Sequence, residues 1–594
     1  MQTIGDAIRL ILPSGSNPIG FFSGGPSWNT CPIYPPDLFA VSGKLIDLSG
    51  AYHHVHPCEM PLHRPGDRLV RITNSDVDWA DRNAKAWRQN GQAQPVPKAV
   101  ENEWAALKKH WGSPLFDMMA VTDAAPKWWK AAVRLLMVAD QASAGLGFGE
   151  ARDPSNQEGS WISELWRELM PPKDPAEIDG SLQHARSRGI WSYSKADPDV
   201  VCVLPKVRTS PVGCTMRSLS HNLALLPPRG VARVWWLAPT SDSPNTAGAL
   251  NVVLIPYPYS ISSRCFVAKN INKRHGWGWF DVDQRWLRPT GIDAAQARDE
   301  IAEYLVSIVE AAATDMGEIH GLVMPEMALD YDLFEAVAYR LGRSTVRKDI
   351  EFFMCGTSGN ARREGNFACT ATFLRLPDDD LEVCAFPLFD DRQKHHRWRL
   401  DRYQISRYGL TSALDPKYLW WEELPIYSRS LSMQQIRGSS VLTAMICEDL
   451  ARVDPCQEAL RSIGPDLIFA LLMDGPQLRS RWPGRYATVL AEDPGSSVLT
   501  MTSLGLISRA NESGSDPASQ VIALWKDLEI DRREIRLEPG SSGVCITLNV
   551  SEQEEFTLDG RSDDRSAPVW TLGSVRQIAR TDIQNVPAWI DRCP

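Results

Sequence analysis

The chain has no CxxC pair among its 12 cysteines and no apolar run approaching the roughly 20 residues that cross a bilayer. It has no surplus of positive charge either: 63 Lys and Arg stand against 73 Asp and Glu, a net −10. The first absence removes the usual zinc-finger and redox spacings. Cysteines this scattered in a 594-residue chain read as reduced, cytosolic thiols, each a small buried side chain unless its surroundings say otherwise. The second excludes a spanning helix, and Arg9 inside the short apolar stretch of MQTIGDAIRLILPSGS makes a poor signal peptide. The third argues against a broad nucleic-acid-coating surface. Internal repeats and low-complexity tails are also missing. What remains is a cytoplasmic globular protein, 43% hydrophobic, and long enough for two or three domains of roughly 100–200 residues.

The composition changes near residue 230. Residues 1–75 are rich in Pro, Gly and Ser, which favours turns and irregular structure. Trp104, Leu107, Trp111, Trp128, Val133 and Leu136 then recur at near-helical spacing, so residues 1–230 are expected to form a helical and irregular N-terminal domain. From residue 231 to 594 strands alternate with helices. AGALNVVLIPYPYSI (247–261) reads as a buried strand, and Ile301, Tyr304, Leu305, Ile308, Val309 and Ala312 line one helix face behind an Asp293/Gln296 capping box. HGLVMPEMAL, EFFMCGTSG, the pair NFACTATFLRL and LEVCAFPLF, SSVLTAMIC, PDLIFALLM and SSVLTMTS supply further strands. A helix is expected from Asp454 as cap through Pro455 and Gln457 to Gly464. This alternation indicates a layered α/β fold.

Three polar residues stand where buried strands end: Glu326, Lys394 and Cys447. Strand ends in α/β folds are where ligands bind. A thiol with an ordinary pKa near 8.5 needs a carboxylate within reach to take its proton, and the protonated carboxyl can return that proton to a leaving amine. An ammonium stabilises the oxyanion of a tetrahedral intermediate, aided by a backbone N–H such as that of Glu448 after the cysteine.

With these residues in place, the stretch from about 248 to 550 resembles the nitrilase, or carbon–nitrogen hydrolase, superfamily: LVMPEMAL around a glutamate, QKHH around a lysine and TAMICEDLARVDP around a cysteine. The resemblance implies a nitrilase-like αββα four-layer sandwich that pairs at least into a homodimer. It implies Cys447 as nucleophile, Glu326 as general base and acid, and Lys394 as oxyanion stabiliser, with no metal or cofactor. A second glutamate that positions substrate and lysine is expected in LWWEELP, at Glu422 in preference to Glu423. The CED triplet is more similar to the glutamine-hydrolysing domains of NAD synthetases than to nitrile hydrolases, which tilts the expected substrate toward a small-molecule amide. Where the family has a Leu shortly after its lysine, this chain has Arg397 and Trp398.

The expected function is hydrolysis of a non-peptide amide through a Cys447 thioester. The alternatives are a silent scaffold whose N-terminal domain binds a protein partner, or an acyltransferase using the same thioester. Residues 262–289 form a long insertion that suits a lid or a docking surface. SGGPSW (23–28) reads as a turn rather than a pyrophosphate loop. His53, His54, His56 and His63 around Cys58 could hold zinc, but their spacing fits no standard finger and a polar loop is preferred. His395 and His396 are read either as lining the pocket or as part of a solvated run, and the basic-aromatic stretch Arg392–Arg407 as the rim of the site.

Overall fold

Neighbouring side chains on a strand point to opposite faces of its sheet, so the adjacent Phe352 and Phe353 show what lies on either side of theirs. In the computed structural model Phe352 meets Phe469 of a second sheet at 5.8 Å, while Phe353 meets Phe334 of a helix at 4.9 Å. The structure describes residues 3–16, 25–58, 68–89, 96–116, 124–148, 189–237, 248–378, 381–437, 439–514, 518–562 and 566–594. His63 and residues 23 and 24 of SGGPSW lie outside them.

Among the described residues, the chain forms a mixed α/β structure with two seven-stranded sheets. The first runs in the order Glu382–Gln393, Glu364–Asp378, Phe352–Gly359, Gly321–Val323, Leu250–Leu254, Ser541–Glu554 and Ser566–Ala579. The second runs Arg533–Arg536, Val521–Lys526, Ser497–Thr502, Leu467–Leu472, Ser440–Ile446, Ser430–Ile436 and Arg233–Leu237. Its three central strands are parallel and wholly buried, which is why they read as continuous apolar runs instead of alternating ones. Helices Ala294–Met316 and Tyr331–Leu341 cover the first sheet with Leu305, Ile308, Phe334 and Val337. Trp570 joins the two sheets: its Nε1 donates to Ser440 Oγ (3.1 Å) and its carbonyl accepts from Ser497 Oγ (2.6 Å).

Local chemistry departs from the sequence reading in three places. Residues 1–75 contain the helices Ile4–Ile11 and Pro35–Ser49, because Thr3 and Asp6 cap the first reciprocally and two prolines open the second. Proline at a first helical position starts a helix instead of breaking one. Asp293 caps Ala294–Met316, but Gln296 turns to Glu300 Oε1 (2.8 Å), so only half of the box forms. Asp454 is extended and caps nothing; the regular helix is Glu458–Ile463, stopped by left-handed Gly464. Residues 262–289 contain the hairpin Phe266–Asn272 and Trp277–Val282, which pairs with Leu419–Glu422 and, beyond it, Arg399–Leu400.

No helix among the described residues is long and apolar enough to cross a membrane. Phe352, fully buried between the sheets, gives a direct test of the packing. Phe352→Ala is expected to lower the unfolding free energy by about 3–5 kcal/mol, read from the midpoint of urea denaturation at unchanged slope. A loss below about 1 kcal/mol would mean that the sheets close over the gap.

Candidate active site

Glu326 projects from a turn that crowds against the strand beside it. The strand Gly321–Val323 ends, Met324 N–H donates to Met354 O (2.9 Å) and Gly356 N–H donates to Pro325 O (3.1 Å). A Cβ at position 356 would stand 2.3 Å from the Glu326 Cα, so only glycine lets the turn lie this close. Met327 completes the turn with a left-handed φ of 57°. Lys394 follows the strand Glu382–Gln393, its N–H bonded to Asn366 O (2.8 Å). Glu422 closes the strand Leu419–Glu422 and is gripped by Trp398, which accepts from the Glu422 N–H (2.8 Å) and donates its own N–H to Glu422 Oε2 (2.9 Å).

These three elements bring their side chains to one buried point. Lys394 Nζ donates to Glu326 Oε1 (2.8 Å) and to Glu422 Oε2 (2.6 Å). Asn366 Nδ2 spans the same pair, donating to Glu326 Oε1 (2.7 Å) and Glu422 Oε1 (3.0 Å). Burial alone would discharge the ammonium, yet the Glu326 and Glu422 carboxylates more than offset it and hold Lys394 well above the usual lysine range. Burial raises Glu326, the Glu422 charge adds to this, and Lys394 and Asn366 pull the other way. Glu326 Oε2 is buried with no hydrogen-bond partner. Glu423, the neighbour of Glu422, is exposed and directs no side chain to Lys394.

Cys447 ends the strand Ser440–Ile446 and opens the tight turn Cys447–Leu450 with a left-handed φ of 44°. A non-glycine residue in that region carries strain that the surrounding structure must impose. The side chain is 2% exposed. Burial pushes its thiol well above the ordinary range and the Glu326 charge pushes further, while Lys394 and a backbone hydrogen bond from Met473 favour the thiolate. The Glu448 side chain pairs with Arg452 (2.6 Å).

The sequence reading does not single out Asp449 or Asn366, and both hold the cluster together. Asp449 accepts the N–H groups of His395 (3.1 Å) and His396 (3.0 Å), His396 Nδ1 (2.9 Å) and Arg392 Nη2 (2.7 Å). It therefore ties the turn that follows Cys447 to the residues flanking Lys394. Burial opposes its charge, but Arg392 and these donors bring Asp449 down to about 2. A usable signal was its place two residues after the cysteine. For Asn366 the signal was a polar residue opening an otherwise apolar strand. His395, with Nε2 accepting from the Ser430 N–H (3.1 Å), is buried in the same network, so neither a pocket-lining nor a solvated role describes it. Within the basic stretch, Arg392 is buried against Asp449 and Trp398 packs among Phe266, Phe280 and Tyr408, leaving Tyr403 exposed.

A cleft of about 1220 Å³ opens beside the cluster, lined by Trp279, Gln284, Met327, Asn366, Arg397 and Glu422 among others. Two of these, Trp279 and Gln284, come from the 262–289 insertion. Cys447, Lys394 and Glu326 are not among its lining side chains. In the histidine-rich stretch His54 stacks on Trp129 (5.0 Å) and His53 lies against Tyr52 (4.1 Å). Among the described residues no group of three or more His, Cys, Asp or Glu is placed to hold a metal.

No protein-family model matches the sequence, and no curated protein sequence matches it. Solved structures similar to it include an amidase from Nesterenkonia sp., 14% identical over 54% of this chain and 94% of that one, with a TM-score of 0.28. Nit3 of Saccharomyces cerevisiae, a member of branch 10 of the nitrilase superfamily, is 11% identical over 50% and 89%, with a TM-score of 0.27. A glutamine-dependent NAD(+) synthetase from Cytophaga hutchinsonii is 13% identical over 50% and 42%, with a TM-score of 0.24.

The network makes stability pH-dependent in a stated direction. Burial, then the Arg392 charge, hold His395 down at about 3, whereas an unfolded histidine takes its proton near 6.5. Unfolding between these values binds a proton, so stability falls as pH drops from about 6.5 toward 3, by at most about 1.4 kcal/mol per pH unit for this group. His395→Gln keeps an acceptor for Ser430 and removes the titration. Denaturation at pH 6.5, 5.5 and 4.5 is expected to give a shallower decline in the variant; parallel declines would mean that His395 protonates freely in the folded protein.

Proposed function

We propose that this chain is a thiol hydrolase of the carbon–nitrogen hydrolase type, built on an αββα four-layer frame and cleaving a non-peptide amide bond. The observation that carries the proposal is the free oxygen of Glu326. Every other carboxylate oxygen in the cluster already holds Lys394, Asn366 or the Trp398 N–H, which leaves Glu326 Oε2 to receive a proton.

In the proposed reaction Glu326 Oε2 takes the Cys447 proton as sulfur attacks the amide carbon. The carbonyl oxygen becomes an oxyanion facing the Lys394 ammonium and the Glu448 N–H, which lies in the first turn of Cys447–Leu450, where N–H groups have no partner within the turn. Donors of this kind contribute about 3–4 kcal/mol each. The C–N bond breaks as Glu326 returns the proton to the leaving nitrogen, giving a thioester. Glu326 then takes a proton from water, hydroxide adds to the thioester, and the acid leaves as Cys447 recovers its proton. Glu422 and Asn366 position the lysine and the glutamate throughout.

A second reading, a non-catalytic platform, is favoured by one feature: the Cys447 thiol is buried and outside the cleft lining. Intact-mass analysis after acid quench, with a panel of small primary amides, separates the two. An acyl adduct is expected in the wild type and lost in Cys447→Ala. Glu326→Gln, which preserves the bonds from Lys394 and Asn366, is expected to slow ammonia release by about 10²–10⁴-fold with little change in melting temperature. No adduct and no ammonia with any amide would favour the platform.

A further inference from the structure

The cleft beside the cluster is lined by charged residues that are nearly all paired with one another. Lys269 faces Asp281 (3.6 Å), Arg285 and Arg288 both face Asp283, and Arg298 faces Asp330 (2.8 Å). Among the cations of the lining, Arg397 is the exception. Its Nη2 donates to the Leu424 carbonyl (2.8 Å) and its guanidinium stands 5.6 Å from the centre of the Trp279 ring. It has no carboxylate partner, and its Nε is buried with no acceptor at all. A buried donor left unmatched costs stability, so a retained one points to a group that supplies the acceptor.

Position strengthens the case. Arg397 directly precedes Trp398, whose main chain grips Glu422 on both sides, and it follows Lys394 by three residues. Trp279 and Leu424 hold the guanidinium, which lowers the entropy lost when it binds a ligand. An arginine fork offers two parallel N–H groups, the complement of a carboxylate.

We propose that the site takes amides carrying a second, anionic group, a carboxylate in the simplest case, and that Arg397 selects them. This rests on the hydrolase reading and names its substrate class. The lining also holds two exposed acids without an ion pair, Glu364 and Glu423, which would instead attract a cationic substrate. Being exposed, they are screened by water and salt, whereas Arg397 is half-buried.

The test compares three amides that share one two-methylene spacer and differ in the end group: succinamate, neutral butyramide and cationic β-alaninamide. Succinamate is expected to show a kcat/KM about ten- to a hundredfold above butyramide, as a hydrogen-bonded charge pair provides. In Arg397→Gln that ratio should fall toward one, mainly through KM, and Arg397→Lys should recover part of it. Equal rates for succinamate and butyramide, or a preference for β-alaninamide that Glu423→Gln abolishes, would overturn the assignment. Calorimetric titration of succinamate into Cys447→Ala protein keeps the test separate from catalysis. Binding that Arg397→Gln removes supports the site even where no amide is hydrolysed, and equal binding or no binding to the two proteins counts against it.

Discussion

A lysine with 1% of its surface exposed is the constraint around which this half of the molecule is arranged. An ammonium taken out of water is costly unless charges and hydrogen bonds surround it. Here Glu326 and Glu422 supply both, from a turn after one strand and the end of another, and Asn366 from a third strand holds the two carboxylates in place. Two acids around one base leave an excess negative charge that only a shared or incoming proton relieves. Structural stability and proton affinity at this point therefore draw on the same side chains.

The scaffold meets that demand with backbone features that cost energy locally. Gly356 allows the Glu326 turn to press on its neighbour, Met327 and Cys447 both sit at positive φ, and Asp449 reaches from the turn after Cys447 to the main chain on the far side of Lys394. Strain of this kind persists only where surrounding contacts over-determine it. Asp449 supplies such contacts, because a buried carboxylate accepting several N–H groups fixes whatever carries them.

How much of this the sequence announces depends on the range of the interactions. The buried parallel strands are legible because burial on both faces writes itself as unbroken apolar runs, as in PDLIFALLM. Glu326, Lys394 and Cys447 are legible as polar residues at the ends of such runs, and Glu422 as a carboxylate near them. That Glu326, Lys394 and Glu422 meet is a finding of the structure. What their meeting does chemically belongs to the proposal. The rest escapes for specific reasons. Prolines at 35 and 36 look like breakers until the helix they start is seen. Asp454 looks like a cap until its extended backbone is known. The role of Asp449 depends on main-chain donors more than fifty residues away in sequence, which local patterning does not record. The 262–289 insertion could be recognised as extra chain, but its pairing with the strand that carries Glu422 is a long-range contact of the same kind.

The N-terminal region is joined to the rest by the same physics that holds Lys394. Asp140 accepts the N–H groups of His221 (2.7 Å), Asn222 and Leu223 (both 2.9 Å), and it faces Arg561 at 3.3 Å. Arg561 also pairs with Asp559 (2.9 Å) and donates to the Leu219 carbonyl (2.9 Å). Further along, Arg208 pairs with Asp466 (3.3 Å), and the Thr209 N–H donates to both Glu555 oxygens at 3.0 Å. Buried ion pairs add little when complete, but removing one partner costs about 3–5 kcal/mol because the other charge is left in the interior. Asp140–Arg561 and Thr209–Glu555 thereby tie the N-terminal region to the connection between the last two strands of the first sheet, and Arg208–Asp466 ties it to the second sheet. One apolar cluster running from Ile8 and Leu38 through Leu136 to Leu467 and Trp525 extends that dependence across the interface. The compositional change near residue 230 therefore marks a change in local structure and not a gap in the packing.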